Sequence, residues 1–243
     1  NTTFVSGSPG GHDYANFQVF AARTTPRSKN IRFILTSSRS PFPIPTLTSS
    51  VFYKVYDKNM WNLSVRLRPK GYPIAGLVSG SINFKYDVVF RGTNYELGTK
   101  LNSFEVSRSI DHVAATRFLQ SPKRLYVGAH RQNITGAVSQ SSDVTFSNIR
   151  YWTKYLDNYS LQQHSQDTFN SGISGSYRNI SAIDPANYNY DLLNLNTLAL
   201  DWNFQDVTAS DSNGNFRVID FSSGSSLLRN NYGWLGKVSG YQH

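Results

Sequence analysis

Trp61-Asn62-Leu63-Ser64-Val65-Arg66-Leu67-Arg68 alternates apolar and polar side chains over eight positions, and Pro69 closes the run. A strand turns successive side chains to opposite faces, so this period of two predicts a β-strand with one face buried and the other wet. Similar runs occur at Phe17 to Ala22, Ile31 to Thr36, Val51 to Tyr56, Phe84 to Phe90, Phe104 to Ile110, Leu125 to Val127 and Val144 to Trp152, most of them bounded by Gly, Pro, Ser or Asn. Many short strands separated by turn residues predict an antiparallel sandwich. The helical signal is confined to Asn158 to Ser165, where Leu156, Leu161 and His164 share roughly one face and Asn158 or Ser160 could serve as N-cap.

Composition narrows the classes. The chain has 243 residues, no Cys, and 15 Phe, 15 Tyr and 4 Trp, which is long enough for one large β core filled by aromatics. Without Cys there is no disulfide framework, thiolate metal site or cysteine nucleophile, and stability has to come from burial. Apolar stretches such as Val19 to Ala22 fall far short of the roughly 20 residues of a membrane-spanning helix, so a soluble chain without membrane insertion is expected. The chain starts at Asn1 with no basic-then-apolar leader, which sets the expectation of a mature or excised piece of something longer.

The formal charge of +9 is unevenly spread: residues 1 to 150 carry 19 Lys+Arg and 7 Asp+Glu, residues 151 to 243 carry 5 and 8. The basic residues of the first part (Arg32, Lys54, Arg66, Arg68, Lys85, Arg91) stand singly between apolar ones, the pattern of a solvated strand face and not of a nucleic-acid tail. No specific nucleic-acid partner is expected. A weaker reading makes the basic part a polyanion binder, for lipopolysaccharide phosphates or a genome, with salt-sensitive affinity.

Between 167 and 197 the pattern dissolves into an Asn/Ser/Tyr-rich linker, including Asn187-Tyr188-Asn189-Tyr190. Alternation resumes at Leu198 to Phe204, and a polar turn from Ser210 to Asn215 leads into Phe216 to Phe221, which predicts a hairpin. That turn starts like a calcium loop at Asp211-Ser212-Asn213, but Phe216 stands where the loop needs Gly and no Glu closes it.

Catalytic patterns are sparse. Glu96 and Glu105 are the only glutamates, and they flank what reads as a turn, so the E-x-D-x-E strand of sandwich glucanases is missing; Asp-only pairs remain open. The histidines (His12, His112, His130, His164, His243) have no i,i+2 or i,i+4 pair, and each reads as a surface or strand-end residue. No G-x-S-x-G elbow surrounds any serine, and Ser6-Gly7-Ser8-Pro9-Gly10-Gly11 lacks the lysine of a phosphate loop. No catalytic residue, metal site or cofactor is assigned. Sequons occur at Asn1, Asn62, Asn133, Asn158 and Asn179. A loop between strands is where a saccharide contact would project free of the ladder, and His130, Arg131 and Asn133 are the candidates for it.

The segment Asp143-Val144-Thr145-Phe146-Ser147-Asn148-Ile149-Arg150-Tyr151-Trp152, followed by Leu156 and the short helix, resembles the closing strand and helix of laminin-G/concanavalin A-like lectin domains. Arg124 to Arg131 with Asn133 to Gly136, and the run from Tyr56-Asp57 through Trp61 to Pro69, resemble earlier strands of such domains in large virion structural proteins of tailed bacteriophages. The likeness covers about residues 14 to 166. Leu198 to Gly224, with Trp202-Asn203-Phe204 and Asp220-Phe221-Ser222-Ser223-Gly224, resembles the opening strands of a second copy, and the resemblance implies a tandem parent chain.

What the resemblance implies is an all-β, concanavalin A-like jelly-roll sandwich of antiparallel strands, with one short helix and a C-terminal hairpin extension. Its parts are an N-terminal extension (1–13), the sandwich (14–166), the linker (167–197) and a hairpin or the start of a similar domain (198–243). The implied role is a non-enzymatic module on a virion tail, fibre or capsid surface, whose partners are other copies, other virion proteins and a host cell-surface glycan. No binding residue carries over, because the sugar-and-calcium motifs of legume-type lectins have no matching positions. A virion assembled in a reducing cytoplasm also accounts for the missing Cys. The rival expectation is a secreted glycan-binding or glycan-cleaving sandwich of cellular origin.

Overall fold

The computed structural model describes residues 2–6, 17–37, 46–57, 59–70, 85–120, 123–131, 138–141, 144–168, 197–210, 212 and 216–222. In chain order the elements are β1 (Thr2–Ser6), β2 (Phe17–Arg23), β3 (Ile31–Thr36), β4 (Leu47–Thr48), β5 (Trp61–Pro69), β6 (Lys85–Glu96), β7 (Thr99–Asp111), α1 (His112–Gln120), β8 (Lys123–Val127), β9 (Ala129–Arg131), β10 (Val138–Ser141), β11 (Ile149–Trp152), α2 (Asn158–Gln166), β12 (Leu198–Ser210) and β13 (Phe216–Asp220). The chain falls into two compact units, Asn1–Val144 and Thr145–His243. No helix among the described residues is long and apolar enough to cross a membrane.

The first unit packs a sheet in the order β4-β3-β2-β1-β8 against a three-stranded sheet β5-β6-β7, and β9 and β10 pair beside them; every pairing is antiparallel. The decisive alternating run becomes β5, in register with β6 and through it with β7, so that Val65, Phe90 and Val106 form one row across the sheet. That row faces Phe17, Val19, Ile31, Phe33, Leu35 and Leu47 of the other sheet in one continuous core. Phe33 is the meeting point, with ring centroids 4.7 Å from Trp61 and 5.4 Å from Phe104. Burial of large side chains from two facing sheets is the main source of stability in such a layer pair.

Three local expectations change. Val51 to Tyr56 is not a strand: Lys54 adopts a left-handed φ of 55° and the chain turns there, leaving a single bridge between Phe52 and Ile31. Val144 to Ser147 has no regular structure, and only Ile149–Trp152 pairs as a strand. A second helix, α1, was not read from the sequence; the Asp111 carboxylate accepts the Ala114 N–H at 2.7 Å, and Ala115 and Phe118 enter the core.

In the second unit β11, β12 and β13 form an antiparallel sheet, so the expected hairpin of Leu198 to Phe221 is present as β12–β13. Its outer partner is β11, paired from Ile149↔Trp202 to Trp152↔Leu198. The predicted helix is α2, with Leu161 and His164 buried and Leu156 buried just before it. Its N-cap is neither Asn158 nor Ser160 but Asp157, whose carboxylate accepts the Ser160 N–H at 2.7 Å.

Candidate functional site

Of the saccharide candidates, His130 and Arg131 lie on β9 and not in a loop, opposite Gln140 and Val138 of β10. The orientation of their side chains, and all of Asn133, lie outside the described residues. Of the sequons, Asn62 is the second residue of β5, opposite Thr93 and half-buried, and Asn158 is the exposed first residue of α2; Asn1, Asn133 and Asn179 lie outside the described residues.

Charge is organised at two places. The first is the face of the β5-β6-β7 sheet turned away from the core, where cross-strand register sets Ser64, Arg91 and Glu105 in one row, Arg66, Val89 and Ser107 in the next, and Arg68, Asp87 and Ser109 in a third. Glu105 accepts from Arg66 at 3.3 Å and from Arg91 at 3.1 Å, so one carboxylate serves two guanidinium groups. Arg32, Lys54 and Lys85 are exposed, as a solvated face requires, but Arg66 has only 6 % of its side chain exposed. Neighbouring strands, not water, neutralise it. Burial pushes the Asp87 carboxyl upward, but the Ser109 hydroxyl and the Arg68 and Lys70 cations outweigh that and hold it below the usual carboxylate range.

The second place is the interior of the second unit. Arg150 of β11 donates to Asp201 of β12 at 2.8 Å, with 8 % and 9 % of the two side chains exposed, and to the Thr168 carbonyl at 2.7 Å. Asp220 of β13 receives the Asp201 N–H, the Ser222 N–H and the Ser222 hydroxyl. Burial pushes Asp201 above the usual carboxylate range, with Arg150 opposing and Asp220 reinforcing the rise. His164 of α2 is buried at 3 % exposure, stacks on Trp152 at 5.1 Å and 12°, and among the described residues neither ring nitrogen has a hydrogen-bond partner. Burial lowers its pKa to about 4, and the Arg150 charge lowers it further than Asp167 raises it, so the ring is neutral at pH 7. Its expected position at the surface is therefore corrected. A residue on the Leu161 stripe of a helix faces the core whatever its polarity, and that spacing was the available signal.

These clusters tie strands together. Ser222 is bonded to a carboxylate and not to an imidazole, and Glu105 is engaged by two arginines. Among the described residues no three His, Asp or Glu side chains gather as metal ligands would. The chain matches no family model, no curated protein and no solved structure. Sequence reasoning singled out neither the Arg150–Asp201 pair nor the Glu105 bridge. The residues were visible as charges inside alternating runs, but which charge meets which depends on strand register.

Proposed function

We propose that the chain is a non-enzymatic structural module of a virion, on the tail, fibre or capsid surface, that makes assembly contacts with other copies or other virion proteins and carries host-glycan attachment as a second capacity. In this reading residues 14–166 form a concanavalin A-like jelly roll and residues 198–243 open another copy of the same domain.

The observation that supports it is a sequence likeness between two hairpins. Asn30-Ile31-Arg32-Phe33-Ile34-Leu35-Thr36-Ser37 includes β3, and Asn215-Phe216-Arg217-Val218-Ile219-Asp220-Phe221-Ser222 includes β13; Asn, Arg, Ile and Ser recur at the same spacing. Both strands pair antiparallel with the strand before them, Phe33 opposite Ala21 and Val218 opposite Val207. A unit repeated along one chain suits display and lateral contact better than turnover. The inward-bonded carboxylates described above point the same way.

The test is cryo-electron microscopy of the particles that carry the chain. The expected result is a symmetric lattice in which the chain touches other copies or other structural proteins. A free monomer that cleaves a glycan refutes the reading, and a glycan array on the purified chain then identifies the substrate.

A further inference from the structure

The buried face between β11 and α2 contains a group that the proposed role leaves unused. His164 is 3 % exposed, its ring lies nearly parallel to Trp152, and both its nitrogens are unpartnered among the described residues. Arg150 stands two residues before Trp152 on β11 and donates to the Thr168 carbonyl just past the end of α2, so the guanidinium lies at the surface that receives the ring.

A neutral imidazole fits there at the cost of two unmade hydrogen bonds. An imidazolium would add a buried charge with no acceptor, on the same face as an existing cation. We propose that α2 is an acid-released latch: proton uptake by His164 expels the helix from β11 and opens the second unit while the first remains folded.

The neighbouring charges do not rescue the cation. On β11, Arg150 repels it, and burial raises the pKa of the Tyr151 phenol, so that it supplies no negative charge. On β12, Asp201 is bonded to Arg150, and on β13, Asp220 is occupied by the Asp201 N–H and by Ser222. On α2, the Asp157 carboxylate caps the first turn, and Asp167, at the far end, favours the charged ring by less than Arg150 disfavours it. Lys154, in the connection to α2, is exposed and a cation.

The sign follows from proton binding. The folded ring, with a pKa of about 4, binds a proton more weakly than an unfolded one at 6.5, so docking weakens as pH falls from 6.5 towards about 4 and loses nothing more below that. The full effect on the docking equilibrium is on the order of 300-fold, and between pH 7 and 4.5 it is roughly 60-fold.

Hydrogen–deuterium exchange of the full chain, followed by mass spectrometry from pH 7 to 4.5 and corrected for intrinsic rates, reads this directly. Protection of peptides spanning α2 and β11 is expected to fall roughly 60-fold in the wild type while β5–β7 keep theirs. In His164→Phe, or in His164→Gln should the phenylalanine variant fold poorly, the fall is expected to disappear. Unchanged protection of α2 at pH 4.5, an equal loss in both units, or the same loss in both variants overturns the latch. So does a wild-type His164 resonance that titrates near 6.5.

Discussion

Replacing Gly92 with alanine tests the packing of the first unit at its tightest point. Gly92 sits in β6 between Leu63 of β5 and Phe104 of β7, and the Phe104 ring lies over its backbone. A Cβ there would meet Phe104 Cε1 well inside contact distance, Cζ at 2.8 Å and Leu63 Cδ2 at 3.0 Å. The ring is restrained on its core side, where Phe33, Phe52 and Phe90 lie 5.4, 5.7 and 5.0 Å from its centroid. Glycine in a strand costs about 0.5–1 kcal/mol of backbone entropy that alanine would recover. Overpacking a dense core costs about 1–3 kcal/mol, and with the ring restrained on that side the upper half of that range applies.

The expected net loss for Gly92→Ala is therefore about 2 kcal/mol. Urea unfolding followed by near-ultraviolet circular dichroism measures it through the midpoint at constant slope. Phe104→Leu in the same background removes the colliding ring edge, and the two substitutions should couple favourably by at least about 1 kcal/mol. A single variant within about 0.5 kcal/mol of wild type, or costs that simply add in the double variant, refutes the overlap argument.

Three other outcomes follow from the geometry. Leu97, fully exposed at the β6–β7 turn with φ of 47°, pays the left-handed penalty without burial in return, so Leu97→Asn should stabilise the hairpin by about 1 kcal/mol, read as a rise in thermal midpoint; a fall counts against the turn assignment. Asp201→Asn leaves the Arg150 guanidinium buried without its counter-charge and should cost about 3 kcal/mol in chemical unfolding, whereas Arg150→Met with Asp201→Leu should cost less because no lone charge is left behind. Asp157→Ala removes the cap of α2 and should cost about 1 kcal/mol, seen as faster exchange of the Ser160 amide.

How much was legible depended on the range of the interaction. Trp61 to Arg68 announced β5 because a strand's two faces are written in consecutive residues, and Leu198 to Phe221 announced a hairpin because its two strands are neighbours in the chain. Leu161 and His164 were legible as one helix face for the same reason. The helix α1 is hidden in the sequence because it follows β7 without a break, and its cap, Asp111, is also the last residue of that strand. His130, Arg131 and Asn133 read as a loop in the sequence, yet His130 and Arg131 are strand residues, because a three-residue strand leaves no period to read.

Alternation, turn chemistry and composition are local properties, and by themselves they determined that this chain is built of antiparallel strands with an aromatic core and no cysteine chemistry. Register between distant strands is not local. It places Glu105 between Arg66 and Arg91, sets Arg150 against Asp201 across the intervening 167–197 stretch, and closes α2 over Trp152 with a neutral histidine inside. Those pairings exist only where the tertiary fold removes water. A charge next to a strand's apolar residues is inexpensive when solvated and costly when covered, and only the packed structure decides which of the two applies.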